Sequence, residues 1–357
     1  MGTEIENLQK LLQKDASNFQ ARRELAILLA ENGFNEEALS NLKFLEKYFP
    51  EDAELHYNIG ILHEKTHNFE QARTSYESAI AISPQEDFYY NLGEVLIELK
   101  EWDLAINAFK TVLKSDTNDG NCYFNLGLCY YKKDEINLAT DYFQKAVILN
   151  PQDIYAHFYL GNIYQDSSLT NFAVESYNKV LSISPDYSWA YYNLACISFK
   201  NGNFEEAKEK LEQTIHYNDM DIDAYELLTK VCLKQGEAED IITILSSRLQ
   251  KEENGSLYYM LARVYKFTGQ TIEYHNCLNK ALQNHLTLKY TKDVVKQELE
   301  YTEYQINLQE PSKTEFEYKE YNPSDNKNDN SWEEDEDATI NEEDDFEYDD
   351  KEEEEEE

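Results

Sequence analysis

Apolar residues recur at three- and four-residue spacing along this chain from about residue 4 to about residue 304. That is the period of an amphipathic helix, and no stretch sustains the alternation of a half-buried strand. Within the helical pattern, one word returns: Tyr57-Asn58-Ile59-Gly60, Tyr90-Asn91-Leu92-Gly93, Phe124-Asn125-Leu126-Gly127 and Phe158-Tyr159-Leu160-Gly161. The word weakens to Tyr192-Asn193-Leu194-Ala195, Glu226-Leu227-Leu228-Thr229 and Tyr259-Met260-Leu261-Ala262, and Arg23-Glu24-Leu25-Ala26 fills the same slot upstream. Its glycines are 33 to 34 residues apart. A fixed period of that size is the mark of a helical repeat array.

Two further register marks accompany the word. Ala38, Ala72, Ala105, Ala139, Ala173 and Ala207 follow it about a dozen residues later. One turn beyond them stand Leu42, Tyr76, Phe109, Phe143, Tyr177 and Leu211. Small residues let two helices approach, and a bulky group one turn along fills the space beside the contact. Pro50, Pro84, Pro151 and Pro185 close several units, because proline cannot continue a helix.

These marks resemble the tetratricopeptide repeat, whose pattern is W-x2-L-G-x2-Y, then A-x3-F, then P over 34 residues. The resemblance implies an all-α fold, a right-handed superhelical α-solenoid of antiparallel helix pairs. The units expected are a half-repeat at 4–18 and repeats at about 19–52, 53–85, 86–119, 120–153, 154–187, 188–221, 222–254 and 255–284. Leu8, Leu11 and Leu12 of the half-repeat are expected to face the array. A capping helix at about 285–304, with Leu286, Leu288, Val294, Val295 and Leu299, would cover the last apolar face. Residues 305–357 are expected to be a disordered acidic tail.

Composition adds a charge asymmetry. The net charge is −39, and residues 310–357 hold 24 acidic against 4 basic side chains, more than half of that charge. Runs such as Glu333 to Asp337 and Glu352 to Glu357 repel themselves and bury nothing. So acidic a chain disfavours nucleic acid, which needs clustered Lys and Arg, and favours basic proteins. With no apolar leader or spanning segment, and five cysteines (Cys122, Cys129, Cys196, Cys232, Cys277) inside helical patterns, the expected location is cytoplasmic, without membrane insertion.

Catalytic chemistry finds no footing. His56, His63 and His67 fall on related helix faces, but His56 and His63 occupy slots for packing groups. Asp116 to Gly120 lacks the register of a calcium loop, and Asp219, Asp221 and Asp223 read as solvated turn residues. Cys122 and Cys129 make neither a redox pair nor half a zinc site. The expectation is a non-enzyme with no metal and no cofactor.

In the family resembled, the first helix of each pair lines the concave face. That places Tyr57, Tyr90, Phe124, Phe158, Tyr192 and Tyr259 there as an aromatic row, with Asn58, Asn91, Asn125 and Asn193 beside it and Asn162 a turn along. The candidate peptide-binding residues are Tyr57, Asn58, Tyr90, Asn91, Phe124, Asn125, Phe158, Asn162, Tyr192 and Asn193. A side-chain amide can pair with any peptide group, and aromatics exclude water around it. The same amides could instead tie neighbouring helices together. Alanine at Asn91, Asn125 and Asn193 separates the two, since a ladder serving only partners leaves the melting curve nearly intact. The basic clamp that some members use on a chain-terminal carboxylate is absent, because Tyr57, Tyr90, Phe124 and Ile61 stand where cations are needed. Lys200, Lys230, Lys234, Arg263 and Lys266 make a basic end to the groove, suited to an acidic client or the chain's own tail. The resulting expectation is a scaffold that holds extended segments of other proteins. The alternative is a charge-driven, chaperone-like binder of basic proteins working through the tail.

Overall fold

A computed structural model describes residues 2–115 and 117–309. All regular structure among the described residues is helical. Two compact units divide the chain, one of residues 1–201 with 216–218, the other of 202–215 and 219 onward. The first unit contains α1 (Gly2–Lys14), then five helix pairs: α2 (Phe19–Glu31) with α3 (Asn35–Glu46), α4 (Ala53–Lys65) with α5 (Phe69–Ile82), α6 (Glu86–Glu98) with α7 (Trp102–Val112), α8 (Gly120–Lys132) with α9 (Ile136–Leu149), and α10 (Ile154–Asp166) with α11 (Thr170–Ile183). It ends with α12 (Ser188–Lys200). The second unit takes most of α13 (Phe204–Tyr217), followed by α14 (Ile222–Gln235) with α15 (Ala238–Lys251), α16 (Gly255–Phe267) with α17 (Thr271–Gln283), a 3-10 turn (His285–Thr287) and α18 (Lys292–Gln309).

Local chemistry sets the helix boundaries. Asp52, Asp119, Asp153 and Asp221 each cap the next first helix, accepting a hydrogen bond from the amide of Leu55, Cys122, Ala156 or Ala224 at 2.9–3.1 Å. Such a cap satisfies one of the amides that a helix start leaves without a partner. Within each pair, the turn passes through one left-handed residue: Gly33, His67, Lys100, Asp134, Ser168, Gly202, Gly236 and Gly269 all have positive φ.

Packing then fixes how each pair closes. A Cβ on Gly93 would lie 2.6 Å from Cζ of Phe109, and one on Gly161 would lie 2.5 Å from Tyr177. The repeat's glycine therefore exists because a fully buried ring from the partner helix packs directly against its backbone. Tyr76, Phe109, Phe143 and Tyr177 are all completely buried in this way, each contributing the large apolar area of an aromatic.

The ends of the array differ from the sequence expectation in detail. Ile5, Leu8 and Leu12 of α1 pack on the core of the first pair, while Leu11 turns outward. Residues 285–304 do not form one helix. The chain makes the 3-10 turn, runs extended through Leu288, and begins α18 only at Lys292. Among the described side chains of α18, Val295 and Thr302 are the buried ones, whereas Leu286 is 91% exposed. Helix α18 continues to Gln309, so residues 305–309, expected to be tail, are helical. The tail from residue 310 lies outside the described residues.

Candidate functional site

The first-helix residues of the first unit carry two superimposed patterns, one inward and one outward. The inward pattern is the aromatic row. Tyr57, Tyr90, Phe124 and Phe158 stand 5.7–5.9 Å, centroid to centroid, from Tyr76, Phe109, Phe143 and Tyr177. Each ring thus packs on the aromatic that covers the glycine. Phe124 and Phe158 are buried, which corrects their placement as partner-facing groups, while Tyr57, Tyr90 and Tyr192 keep part of their surface.

The amide row bridges repeats. Asn91 Nδ2 donates to the Tyr57 hydroxyl at 3.0 Å, and Asn125 Nδ2 to the Tyr90 hydroxyl at 3.3 Å. The word's asparagine in one repeat is therefore tied to the word's tyrosine in the repeat before it. Where Phe124 offers no hydroxyl, the pattern changes. Tyr177 donates to Asn162 Oδ1 at 2.8 Å, and Asn193 Nδ2 approaches the same oxygen at 3.4 Å. Asn125 and Asn193 are buried, at 8% and 6% exposure. These amides have the inter-repeat role that the sequence left open. Asn58, Asn91 and Asn162 remain half-exposed.

The outward pattern was missed in the sequence. On α4 and α6 it is acidic: Glu54, Asp87 and Glu98 are exposed, and Glu64 and Glu94 are half-buried among the tyrosines. Tyr76 donates its hydroxyl to Glu64 at 2.6 Å. Burial, with Glu64 nearby, pushes the Glu94 carboxyl up to about 7, and Tyr90 and Asn125 temper that shift by hydrogen bonding. Burial, then Asp87, raises Tyr57, with Glu64 and Glu54 adding to it. These carboxylates therefore share one neighbourhood. On α8, α10 and α12 the outward residues are aromatic. Tyr159 stacks on Phe143 at 5.2 Å and meets Tyr131 at 5.3 Å, and Tyr155 and Trp189 are 49% and 43% exposed. The signal was available, since Tyr155 and Trp189 both stand three residues before the word's aromatic slot.

The expected basic end is also changed. Lys200 lies in the first unit and the other four cations in the second. Arg263 pairs with Glu298 of α18 at 3.3 Å, and Lys266 reaches the same carboxylate at 3.7 Å. Lys230 pairs with Glu226 at 3.4 Å, and Lys234 lies over the Phe204 ring. The chain's own carboxylates already engage Lys230, Arg263 and Lys266.

The groups weighed for metal chemistry have structural duties. His56 bonds the Pro50 carbonyl at 2.8 Å, His63 is buried, and His67 occupies a left-handed turn. Asp221 caps α14 and Asp219 pairs with Lys251. Among the described residues no group of three potential ligands converges on a metal site. No described helix is long and apolar enough to cross a membrane.

This geometry is that of tetratricopeptide repeats, and the sequence comparisons agree. Four tetratricopeptide repeat models match residues 23–87, 86–119, 120–153 and 176–209. The chain belongs to that family, an all-α solenoid of the kind used for protein–protein interaction. No curated protein matches it. Among solved structures it is similar to MamA 41-end from Desulfovibrio magneticus RS-1, at 26% identity over 48% of this chain and 97% of that one, with a TM-score of 0.46. It is similar to YrrB, titled a TPR protein with an unusual peptide-binding site, at 24% identity over 52% and 96%, with a TM-score of 0.44. Pseudomonas aeruginosa PilF is 17% identical over 58% and 95%, with a TM-score of 0.50.

Proposed function

We propose that the chain is a non-catalytic scaffold that holds extended segments of partner proteins on the first-helix face of its first unit. The observation that carries this reading is the pair Tyr155 and Trp189. They occupy the same slot of consecutive first helices, and both leave nearly half their surface in solvent, Tyr155 with its ring 6.4 Å from that of Phe124. Large aromatics held rigidly at the surface are the side chains that dominate binding energy at protein interfaces. The half-exposed amides Asn58, Asn91 and Asn162 add donors and acceptors for a peptide backbone. Each such bond contributes about 0.5–1.5 kcal/mol net, so a segment must engage several repeats.

Selection of unstructured twelve-residue peptides from a random display library against the full chain tests this. Selected peptides should lose roughly tenfold or more in affinity when Tyr155 and Trp189 become alanine, the loss typical of hot-spot truncation, and should keep binding as salt rises. Binding that ignores those two substitutions but disappears on removal of residues 310–357 would replace the groove with the charge-driven alternative.

A further inference from the structure

The second unit contains a short non-helical segment, extended at Leu288, that already lies on a first-helix face. After the 3-10 turn the chain crosses α14 and α16. Ser256 Oγ donates to the Thr287 carbonyl at 2.8 Å and accepts from the Lys289 amide at 2.8 Å. Gly255 N donates to Thr287 Oγ1 at 2.7 Å, and the missing side chain of Gly255 leaves room for the Asn284 carbonyl first and then for Leu288. The Lys289 ammonium is ion-paired with Asp223. Tyr290 lies against the Tyr259 ring at 4.5 Å and beside the Glu226 carboxylate. Two consecutive first helices thus bind a Leu-Lys-Tyr segment, α16 through a hydroxyl for the backbone and a ring for the tyrosine, α14 through an acid for the lysine.

The repeat carries this arrangement into the first unit. Asp223 and Ser256 each precede their repeat's aromatic slot by three residues and its glycine slot by six. Glu54 and Asp87 hold those positions on α4 and α6, before Tyr57 and Gly60 and before Tyr90 and Gly93. Glu54 therefore stands in the place of Asp223, which takes the lysine. Asp87 stands in the place of Ser256, where a carboxylate can accept a backbone amide. Tyr90 stands in the place of Tyr259, which takes the ring. One turn on, the cation Arg263 of the second unit is replaced by Glu94, and Glu64 lies close by. No segment of the described chain is hydrogen-bonded over Glu54 and Asp87 in the way that residues 287–290 cover α14 and α16. The Gln85 side chain alone reaches Glu54 there, at 3.3 Å.

We infer that the α4–α6 face takes an extended, lysine-bearing segment of a partner protein, its ammonium on Glu54 and an aromatic neighbour on Tyr90. This rests on the groove reading above and gives its occupant a charge. It is opposite in sign to the acidic client expected from the lysines of the last repeats. Cation binding also fits the energetics of the site. Glu98 acts against the charge of Glu64, and Glu64 against that of Glu94, and an arriving ammonium relieves that repulsion.

The test uses the full chain and three labelled synthetic peptides, read by fluorescence anisotropy. One is a twelve-residue repeat of Leu-Lys-Tyr, one has glutamine for lysine, and one has glutamate for lysine. The lysine peptide should bind most tightly and the glutamate peptide least. The double variant Glu54→Gln, Asp87→Asn should weaken the lysine peptide about three- to tenfold, the scale of two exposed ion pairs, and leave the glutamine peptide unchanged. Both side chains are exposed, so the variant should melt like the parent. As a second variant, Glu54→Lys should shift preference toward the glutamate peptide. Equal affinity for the lysine and glutamine peptides would overturn the inference and leave the groove reading standing. So would a lysine peptide indifferent to both variants, since it would then be held elsewhere, as by the acidic residues beyond 309. If none of the three binds, the inference falls, and the library selection alone decides the groove.

Discussion

Asn91 donates from Nδ2 to the hydroxyl of Tyr57, 34 residues earlier, at 3.0 Å. One hydrogen bond thus joins the same word in two successive repeats, and Asn125 repeats it onto Tyr90. Removal of one partner leaves a half-buried polar group unsatisfied, whereas removal of both is cheaper. Asn91→Ala and Tyr57→Phe should each destabilise the chain by about 0.5–1.5 kcal/mol in urea titrations, and the double variant by less than their sum. Strict additivity would show that the two side chains are not coupled. Alanine at Asn91, Asn125 and Asn193 together should visibly lower the melting temperature, unlike a ladder used only by partners.

Gly93 has no room for a methyl group. The Phe109 ring is fully buried and flanked by Tyr90, so it cannot withdraw without opening the core. Gly93→Ala should cost about 1–3 kcal/mol, the usual range for overpacking. Adding Phe109→Leu should recover part of that loss in chemical denaturation, and a failure to recover any would mean the strain lies elsewhere.

Lys100 sits at φ 58 in the turn between α6 and α7, where four other repeats use glycine. The left-handed conformation costs a residue with a Cβ about 1–2 kcal/mol, and glycine's greater freedom in the unfolded chain offsets some of this. Lys100→Gly should therefore leave stability unchanged or raise it by up to about 1 kcal/mol. Gly33→Ala, at φ 77, should lower it by about 1 kcal/mol. Thermal melts of the two variants check the opposite signs.

Glu94 makes stability depend on pH. Its carboxyl, ordinarily near 4.5, is raised to about 7 in the folded chain by burial and by Glu64. The folded state therefore holds this proton more tightly than the unfolded state. That contribution is complete below about 4.5 and is lost as pH rises through about 7. Glu94→Gln should flatten this part of the stability–pH curve, by on the order of 1–2 kcal/mol after allowance for partial exposure. An identical curve for the variant would place the titration on another group.

Glu298 holds α18 in place by accepting from Tyr274 at 2.8 Å and pairing with Arg263 at 3.3 Å. Glu298→Ala strands a half-buried guanidinium, a change that costs a few kcal/mol where burial is deep and less here. Amide exchange in residues 292–306 should accelerate by about tenfold or more per 1.4 kcal/mol lost, while residues 19–200 keep their protection.

The repeat period, the helix pairs and the glycine–aromatic contact were legible in the sequence, because each is specified within a single 34-residue unit. The word's spacing marked α4, α6, α8 and α10, and Ala72 with Tyr76 marked the second helix of its pair, since helical periodicity and close packing leave direct traces in residue type. The direction in which each side chain points was not legible. Phe124 and Phe158 look like Tyr57 in the sequence, yet lie buried because neighbouring repeats close over them. Asn91 and Asn125 read first as peptide ligands, and their bonds to the tyrosine hydroxyls of the preceding repeats showed only in the structure. Lys230, Arg263 and Lys266 read as a basic groove end until Glu226 and Glu298 were found beside them. The acidic face of α4 and α6, and the segment 287–290 lying over α14 and α16, appeared only in the tertiary structure. Their partners are brought together by the stacking of repeats, and no local pattern records a contact made tens of residues away.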